Sequence, residues 1–221
     1  MLRGAIQMNG DTDQIRFIYF DLGRVLITTR LDARQAAVIL GIPDPSDNEV
    51  QLVDHSIWSH RDAYDQGISD FEFWNTVAGD CGLPEPDMHT VEELVSYDTA
   101  RCETVDAESI ALVRDLKGRG FSLGILSNTP VAMATRTKQQ PWAQEFFEFS
   151  VFSGEEGVAK PDQRIYQVAL DRAHVLAAHT LFIDDREVNV HGAEIVGMNG
   201  LVWDSAHQAH QILADWQILG H

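Results

Sequence analysis

Phe17-Ile18-Tyr19-Phe20-Asp21-Leu22-Gly23 is the stretch whose reading decides the fold. Four consecutive large apolar residues end on a carboxylate, with no polar residue between them. A strand with one solvated face would alternate; a run of this kind fits a strand buried on both faces, as in a parallel sheet. The form recurs down the chain. Ser122-Leu123-Gly124-Ile125-Leu126 runs into Ser127-Asn128, Leu181-Phe182-Ile183 into Asp184-Asp185, and Gly200-Leu201-Val202-Trp203 into Asp204, with Phe149 to Phe152 as a weaker run. Helical patterns lie between the runs. Ser109 to Arg119 places Ile110, Leu112, Val113 and Leu116 on one face, and Asp162 to Ala173 does the same with Ile165, Tyr166, Ala169 and Leu170. Strand–helix alternation predicts an α/β fold with a doubly wound, parallel, Rossmann-like sheet, in strand order 5-4-1-2-3.

One segment breaks the alternation. Between Asp44 and Glu108, 17 acidic residues stand against two basic ones, Arg61 and Arg101, whereas the rest of the chain is close to neutral. The segment has no strand signal. Val50, Val53 and Ile57 share a helical face, as do Phe71, Trp74 and Val77; Ser69-Asp70 reads as a helix start and Pro84 and Pro86 as a loop. The expectation is a helical cap over residues 31–105, inserted after the first strand, with the α/β core formed by 16–30 and 106–221 and a polar lead-in over 1–15.

Composition narrows the function classes. The chain has 221 residues, 44% hydrophobic, with 16 basic and 34 acidic residues and a net charge of −18. That balance argues against nucleic acid or an anionic membrane as the main partner, since both need a basic footprint. No apolar run reaches the roughly 18 residues of a membrane helix, and the first sixteen residues lack a signal-peptide core. Two cysteines, Cys81 and Cys102, make no disulfide framework and fit a reducing, cytoplasmic setting. A monomer or homodimer is the expectation.

In a parallel α/β sheet, ligands bind beyond the carboxyl ends of the strands. Asp21, Ser127, Asn128, Asp184 and Asp185 therefore share one rim, and Lys160-Pro161-Asp162 follows the third strand and opens a helix. Asp21 is a candidate covalent nucleophile. Carboxylates meeting at one point repel unless a cation sits among them, and hard oxygen ligands favour magnesium. Ser127 and Asn128 offer neutral hydrogen bonds to a phosphoryl oxygen, and Lys160 the balancing positive charge. A metal, a cation and an in-line nucleophile are the requirements of phosphoryl transfer.

These four stretches resemble the motifs of the haloacid dehalogenase superfamily: Phe20 to Leu26, Leu126-Ser127-Asn128, Lys160-Pro161-Asp162, and Ile183 to Ala193. They come in the family's order, with Asp21, Ser127, Lys160 and Asp184 spaced 106, 33 and 24 positions apart, and the resemblance implies a small phosphorylated metabolite as partner. The Phe-Asp-Leu-Gly start, Gly67-Ile68-Ser69-Asp70, and Lys160-Pro161 followed by Arg164-Ile165-Tyr166 are most similar to the bacterial sugar-1-phosphate phosphatases. Known members of that branch release phosphate from α-glucose 1-phosphate. The resemblance implies that Asp21 forms an aspartyl phosphate. It implies that Asp21, the Gly23 carbonyl, Asp184 and Asp185 hold Mg2+. It further implies that Ser127 and Asn128 hold the phosphoryl group and Lys160 neutralises it.

Two positions depart from the common pattern. Most superfamily phosphatases carry a second Asp, the general acid and base, where this chain has Gly23; losing such a group costs about 10²–10⁴-fold. Three explanations stay open: a good leaving group such as an anomeric phosphate, a proton donor from the cap, or weak or absent catalysis. His55 and His60 are candidate donors. Arg24 stands where that branch has asparagine; it either adds binding charge or points to solvent. Arg61, three residues from Trp58 on a predicted helix, is a candidate substrate contact, weighed against a core Trp with a solvated Arg. True dehalogenases lack the second Asp too, but also lack paired carboxylates in the fourth motif. A metal-independent 2-haloacid dehalogenase and a non-catalytic binding protein remain the alternatives. Asn189, Gly192 and Ala193 read as helix packing beneath the site, Asp162 as a helix cap, and Asp185 as a metal ligand with some capping of its own.

Overall fold

The computed structural model describes residues 15–219. In chain order its elements are β1 (Phe17–Phe20), α1 (Ala33–Ile39), α2 (Asp47–Asp65), α3 (Asp70–Asp80), α4 (Met88–Thr99), α5 (Ala107–Gly118), β2 (Ser122–Ser127), α6 (Val131–Lys138), α7 (Pro141–Phe146), β3 (Phe149–Phe152), α8 (Ser153–Glu156), α9 (Gln163–Ala173), β4 (Thr180–Asp184), α10 (Glu187–Ile195), β5 (Asn199–Val202) and α11 (Ala206–Asp215). The five strands form one parallel sheet in the order β3-β2-β1-β4-β5, which is the expected order read from the other edge.

The unbroken apolar run of β1 has the cause the sequence suggests. Ile18 and Phe20 face one core, with Leu112, Val113 and Leu116 of α5 and Leu213 of α11. Phe17 and Tyr19 face the other, with Ile165, Tyr166 and Ala169 of α9 and Ala193 of α10. Helices on both sheet faces make every β1 position a core position. Beside it, Gly124 of β2 lies under the rings of Phe17 and Tyr19; a Cβ there would come within 2.5 Å of the Tyr19 ring. Tyr19 completes the fit by donating to the Ala169 carbonyl at 2.7 Å. Ile15, expected in the polar lead-in over 1–15, is buried in the first core; the rest of that segment lies outside the described residues.

Helices α1 to α4 all fall between β1 and β2 and have a core of their own, including Leu31, Val53, Ile57, Tyr64, Phe73, Trp74, Val77 and Leu94. Their starts are local chemistry. Ser46 and Ser69 each cap a helix and exchange hydrogen bonds with Glu49 and Glu72, the reciprocal pattern that satisfies orphan N–H donors. Tyr64 stacks on Phe73 at 4.1 Å, tying α2 to α3. This helical layer touches the α/β layer at a specific point. Ser153 Oγ, at the start of α8, donates to the carbonyl of Asp65 at the end of α2 and accepts from the Thr129 N–H at 2.8 Å. Two residues on, Gly67 has φ +104°, and a Cβ there would lie 2.9 Å from the Gly154 carbonyl oxygen. Only glycine allows both that φ and that approach.

Candidate active site

Asp21 directly follows β1, Ser127 ends β2 and Asp184 ends β4. Because Phe20 pairs with Ile125 on one side and Ile183 on the other, these side chains emerge at one level of the rim. Lys160 enters from the loop before α9. Its Nζ donates to Asp21 Oδ1 at 2.7 Å, Asp184 Oδ2 at 2.6 Å and the Leu126 carbonyl at 2.8 Å. A lysine 4% exposed with three acceptors is no surface lysine. Burial opposes the ammonium, but Asp21 and Asp184 outweigh it and hold Lys160 above the usual lysine range. Burial pushes the Asp21 carboxyl up to about 6, with Lys160 working against that shift and Asp184 adding to it. Asp185, half-buried, is raised by burial and then by Asp184. Carboxylate oxygens of Asp21, Asp184 and Asp185 all lie within 4.8 Å of one another.

Several side chains hold this constellation rather than face outward from it. The amide of Asn128, the expected partner of a phosphoryl group, donates to the Lys160 carbonyl at 2.9 Å and accepts from the Lys160 N–H at 2.8 Å, fixing the lysine backbone. Asn189, expected to be packing only, donates to both Asp184 oxygens at 3.1 Å, and Asp184 Oδ1 also accepts the Arg186 N–H at 2.8 Å. Helix α10 starts from Arg186 with no side-chain cap, so Asp185 does not cap it. Gly192 fulfils the packing role: a Cβ there would lie 2.9 Å from both the Pro161 carbonyl and the Tyr166 hydroxyl. Asp162 caps α9 through the Arg164 N–H. Thr129, unremarked in the sequence, donates to Ser127 Oγ at 2.9 Å.

A cavity of about 150 Å³ opens beside this rim, with Gly23, Ser127 and Asn128 below and Trp58, Arg61 and Asp65 above. Leu22, Ile27 and Met133 make the rest of its wall largely apolar. The expected core Trp and solvated Arg are reversed. Trp58 is 39% exposed, while the Arg61 side chain is 12% exposed and bonded to Asp65 Oδ1 at 2.9 Å and Asp98 Oδ2 at 3.1 Å. Burial opposes the charge of Asp98, and Arg61 and Arg101 outweigh it, holding that carboxyl below the usual range. Arg24 does not line the cavity. Its side chain is 79% exposed and, among the described residues, reaches Asp185 at 3.5 Å from a left-handed backbone with φ 61°. Neither candidate histidine lines it: His60 contacts Asp80 at 2.8 Å and His55 lies by Ser59 at 3.5 Å.

The family model for haloacid dehalogenase-like hydrolases matches residues 24–197. The chain belongs to that family. Among curated relatives, a sesquiterpene phosphatase from Aspergillus oryzae is 27% identical over 185 residues, 82% of this chain and 86% of the relative. Among solved structures, a family enzyme from Bacteroides thetaiotaomicron in complex with magnesium and inorganic phosphate superposes with a TM-score of 0.65. It is 21% identical, over 88% of this chain and 98% of that one. A 2-haloacid dehalogenase from Pseudomonas syringae gives 0.62 at 21% identity, over 91% and 99%. The fold of a haloacid dehalogenase-like hydrolase is thus common to phosphate-binding and dehalogenating relatives, and the choice between them rests on the site. Among the described residues no helix is long and apolar enough to cross a membrane.

Proposed function

We propose that this hydrolase is a magnesium-dependent phosphatase that cleaves a small phosphomonoester through an aspartyl phosphate on Asp21. One observation carries the reading: three carboxylates within 4.8 Å of one another, with a single buried ammonium among them. Lys160 cannot balance Asp21, Asp184 and Asp185 together, and a set of hard oxygen donors fits a divalent cation that keeps waters and phosphate oxygens. Asp21, Asp184, Asp185 and the Gly23 carbonyl would hold it. When bound, the ion supplies the positive charge that lets a phosphate dianion enter beside a carboxylate. A metal-independent dehalogenase has no use for that surplus of carboxylates.

The chain's own residues then divide the work. Lys160 occupies Asp21 Oδ1, which leaves Oδ2 as the attacking oxygen. Ser127, steadied by Thr129, offers its hydroxyl to a phosphoryl oxygen, and Asn128 serves by holding Lys160. Arg61 and Trp58 face the leaving group from above. The small cavity favours a compact leaving group over a long chain. A sugar 1-phosphate is the leading substrate, because its anomeric oxygen leaves more readily than a simple alcohol. The helical layer acts as the cap over residues 31–105, which opens to admit substrate and closes to exclude bulk water.

Phosphate release from a panel containing α-glucose 1-phosphate, other sugar phosphates and p-nitrophenyl phosphate, with magnesium and with a chelator, tests this. Magnesium-dependent turnover is expected, with Asp21→Asn reducing it on the order of 10⁴–10⁶-fold. Full activity in Asp21→Asn, or chelator-resistant chloride release from a 2-haloacid, would overturn the reading.

A further inference from the structure

We propose that Asp65, the last residue of α2, is the general acid and base of this phosphatase, in the role that Gly23 cannot fill. The inference rests on the phosphatase reading above and goes beyond it by assigning the proton. Gly23 has no proton to give, and a Cβ built on it meets nothing within 4 Å, so the floor of the cavity is open there. Asp65 lines the roof of the same cavity. Of the other ionisable groups lining it, Arg61 and Arg101 keep their protons at any working pH, so Asp65 alone among the described lining residues can exchange one.

Asp65 is held in place by its backbone. Its carbonyl accepts from Ser153 Oγ, and Gly67 seats the following turn against Gly154. The α2 terminus is therefore fixed to the start of α8, directly after β3, on the same rim as Ser127. The side chain sits 13% exposed, and its hydrogen bond from Arg61 Nε falls on Oδ1. Burial raises the carboxyl to about 6, against the pull of Arg61 and with Asp98 and Asp62 adding to the rise. The negative end of the α2 dipole acts in the same sense. That places the group near the operating range of an acid–base catalyst.

A purely structural role is a poorer account of these contacts. Asp98 receives Arg61 at 3.1 Å and Arg101 at 2.5 Å and stays ionised between them. Asp65 has one of those arginines and faces the cavity. Its neighbour suits the chemistry: Arg61 stabilises the carboxylate once the proton has left.

The steps balance. Asp21 Oδ2 forms a bond to phosphorus while the bond from phosphorus to the ester oxygen breaks. The Asp65 carboxyl proton goes to that oxygen, which departs as the alcohol. The Asp65 carboxylate then takes a proton from water as the water oxygen bonds to phosphorus. The bond from phosphorus to Asp21 breaks, releasing inorganic phosphate and restoring the Asp65 acid.

Asp65→Asn is the test, read on an alkyl phosphate and on p-nitrophenyl phosphate. Loss of about 10²–10⁴-fold is expected for the alkyl ester, whose leaving group needs the proton. With the aryl ester, the first equivalent of nitrophenolate should still appear at the wild-type rate. Steady-state turnover should then fall, and the aspartyl phosphate should accumulate, visible by intact mass after acid quench. Gly23→Asp in the Asp65→Asn background should restore alkyl turnover, and a thermal melt of each variant controls for folding. Equal losses on both esters without trapped phosphoenzyme, or no loss at all, would overturn the assignment. If the wild type turns over neither ester and Asp21→Asn matches it, the phosphatase reading fails and this inference with it.

Discussion

The described residues hold a charge cluster on the sheet rim and another in the helical layer, and the two are built to opposite specifications. On the rim, Asp21 and Asp184 share Lys160, while Asp185 beside them has a long contact to the exposed Arg24. In the helical layer, Asp65 and Asp98 face Arg61 and Arg101, two against two. A balanced cluster satisfies itself and orders the helices around it. An unbalanced one is tolerable only if something of opposite charge binds, which is why surplus charge points to function and balanced charge to architecture. Asp65 belongs to both, since it is paired within the balanced cluster and faces the cavity of the other.

The largest expected effect comes from breaking the balance where it exists. Asp98→Ala leaves Arg61 and Arg101 buried without their shared partner. It should destabilise the fold by about 3–5 kcal/mol, measured by urea unfolding. A loss under about 1 kcal/mol would mean that the helical cluster is not structural. Supplying the missing charge on the rim should work the other way. Magnesium at one hundred times its dissociation constant should raise the unfolding free energy by about 2.7 kcal/mol, and Asp184→Asn should abolish that gain.

Asp65 gives a middle-sized effect with a sign. Its carboxyl titrates near 6 in the folded protein, above its ordinary value of 3.8. The folded state therefore binds the proton more tightly than the unfolded chain. That stability is complete below about pH 4 and is lost as pH rises through about 6. Asp65→Asn escapes the loss, so between pH 4 and pH 8 its stability relative to wild type should climb on the order of 2 kcal/mol while its turnover falls. A difference independent of pH would show that the carboxyl is not held protonated. The groups facing it are Arg61 and Asp62 of α2 and Asp98 of α4. The smallest effect belongs to Arg24. An exposed pair at 3.5 Å contributes about 0–1 kcal/mol, and glycine relieves the left-handed backbone. Arg24→Gly should be neutral or stabilising by up to about 1 kcal/mol, with phosphate release within about twofold of wild type.

What could be read from the chain follows the range of the forces involved. β1, β2 and β4 are legible because burial on both faces writes itself as an apolar run, β3 is a weaker run because its first half is only partly buried, and α9 is legible because its period and its Asp162 cap are local. The rim residues are legible because parallel strands deliver their ends to one edge. Roles decided by hydrogen bonding across the fold are not legible in the chain. Asn128 spends its amide on the Lys160 backbone, 32 residues away, and Asn189 braces Asp184 from the first turns of α10. His55 and His60 of α2, the expected proton donors, do not line the cavity. The helix instead turns Arg61 and Asp65 to the cavity. The four-residue spacing of Arg61 and Asp65 on one helical face was the available signal.

By itself, then, the order of residues determined the sheet, the helical insertion after β1 and the set of carboxylates and lysine that meet at the strand ends, since each depends on local period and strand direction. Only the tertiary structure decided which part of the insertion overhangs that rim. That outcome depends on the close approach of Gly67 to Gly154 and on the Ser153 bond to the Asp65 carbonyl. Contacts between residues almost ninety positions apart leave no periodic trace in the chain, and burial between the two layers, not the type of residue, gives Asp65 its raised affinity for a proton.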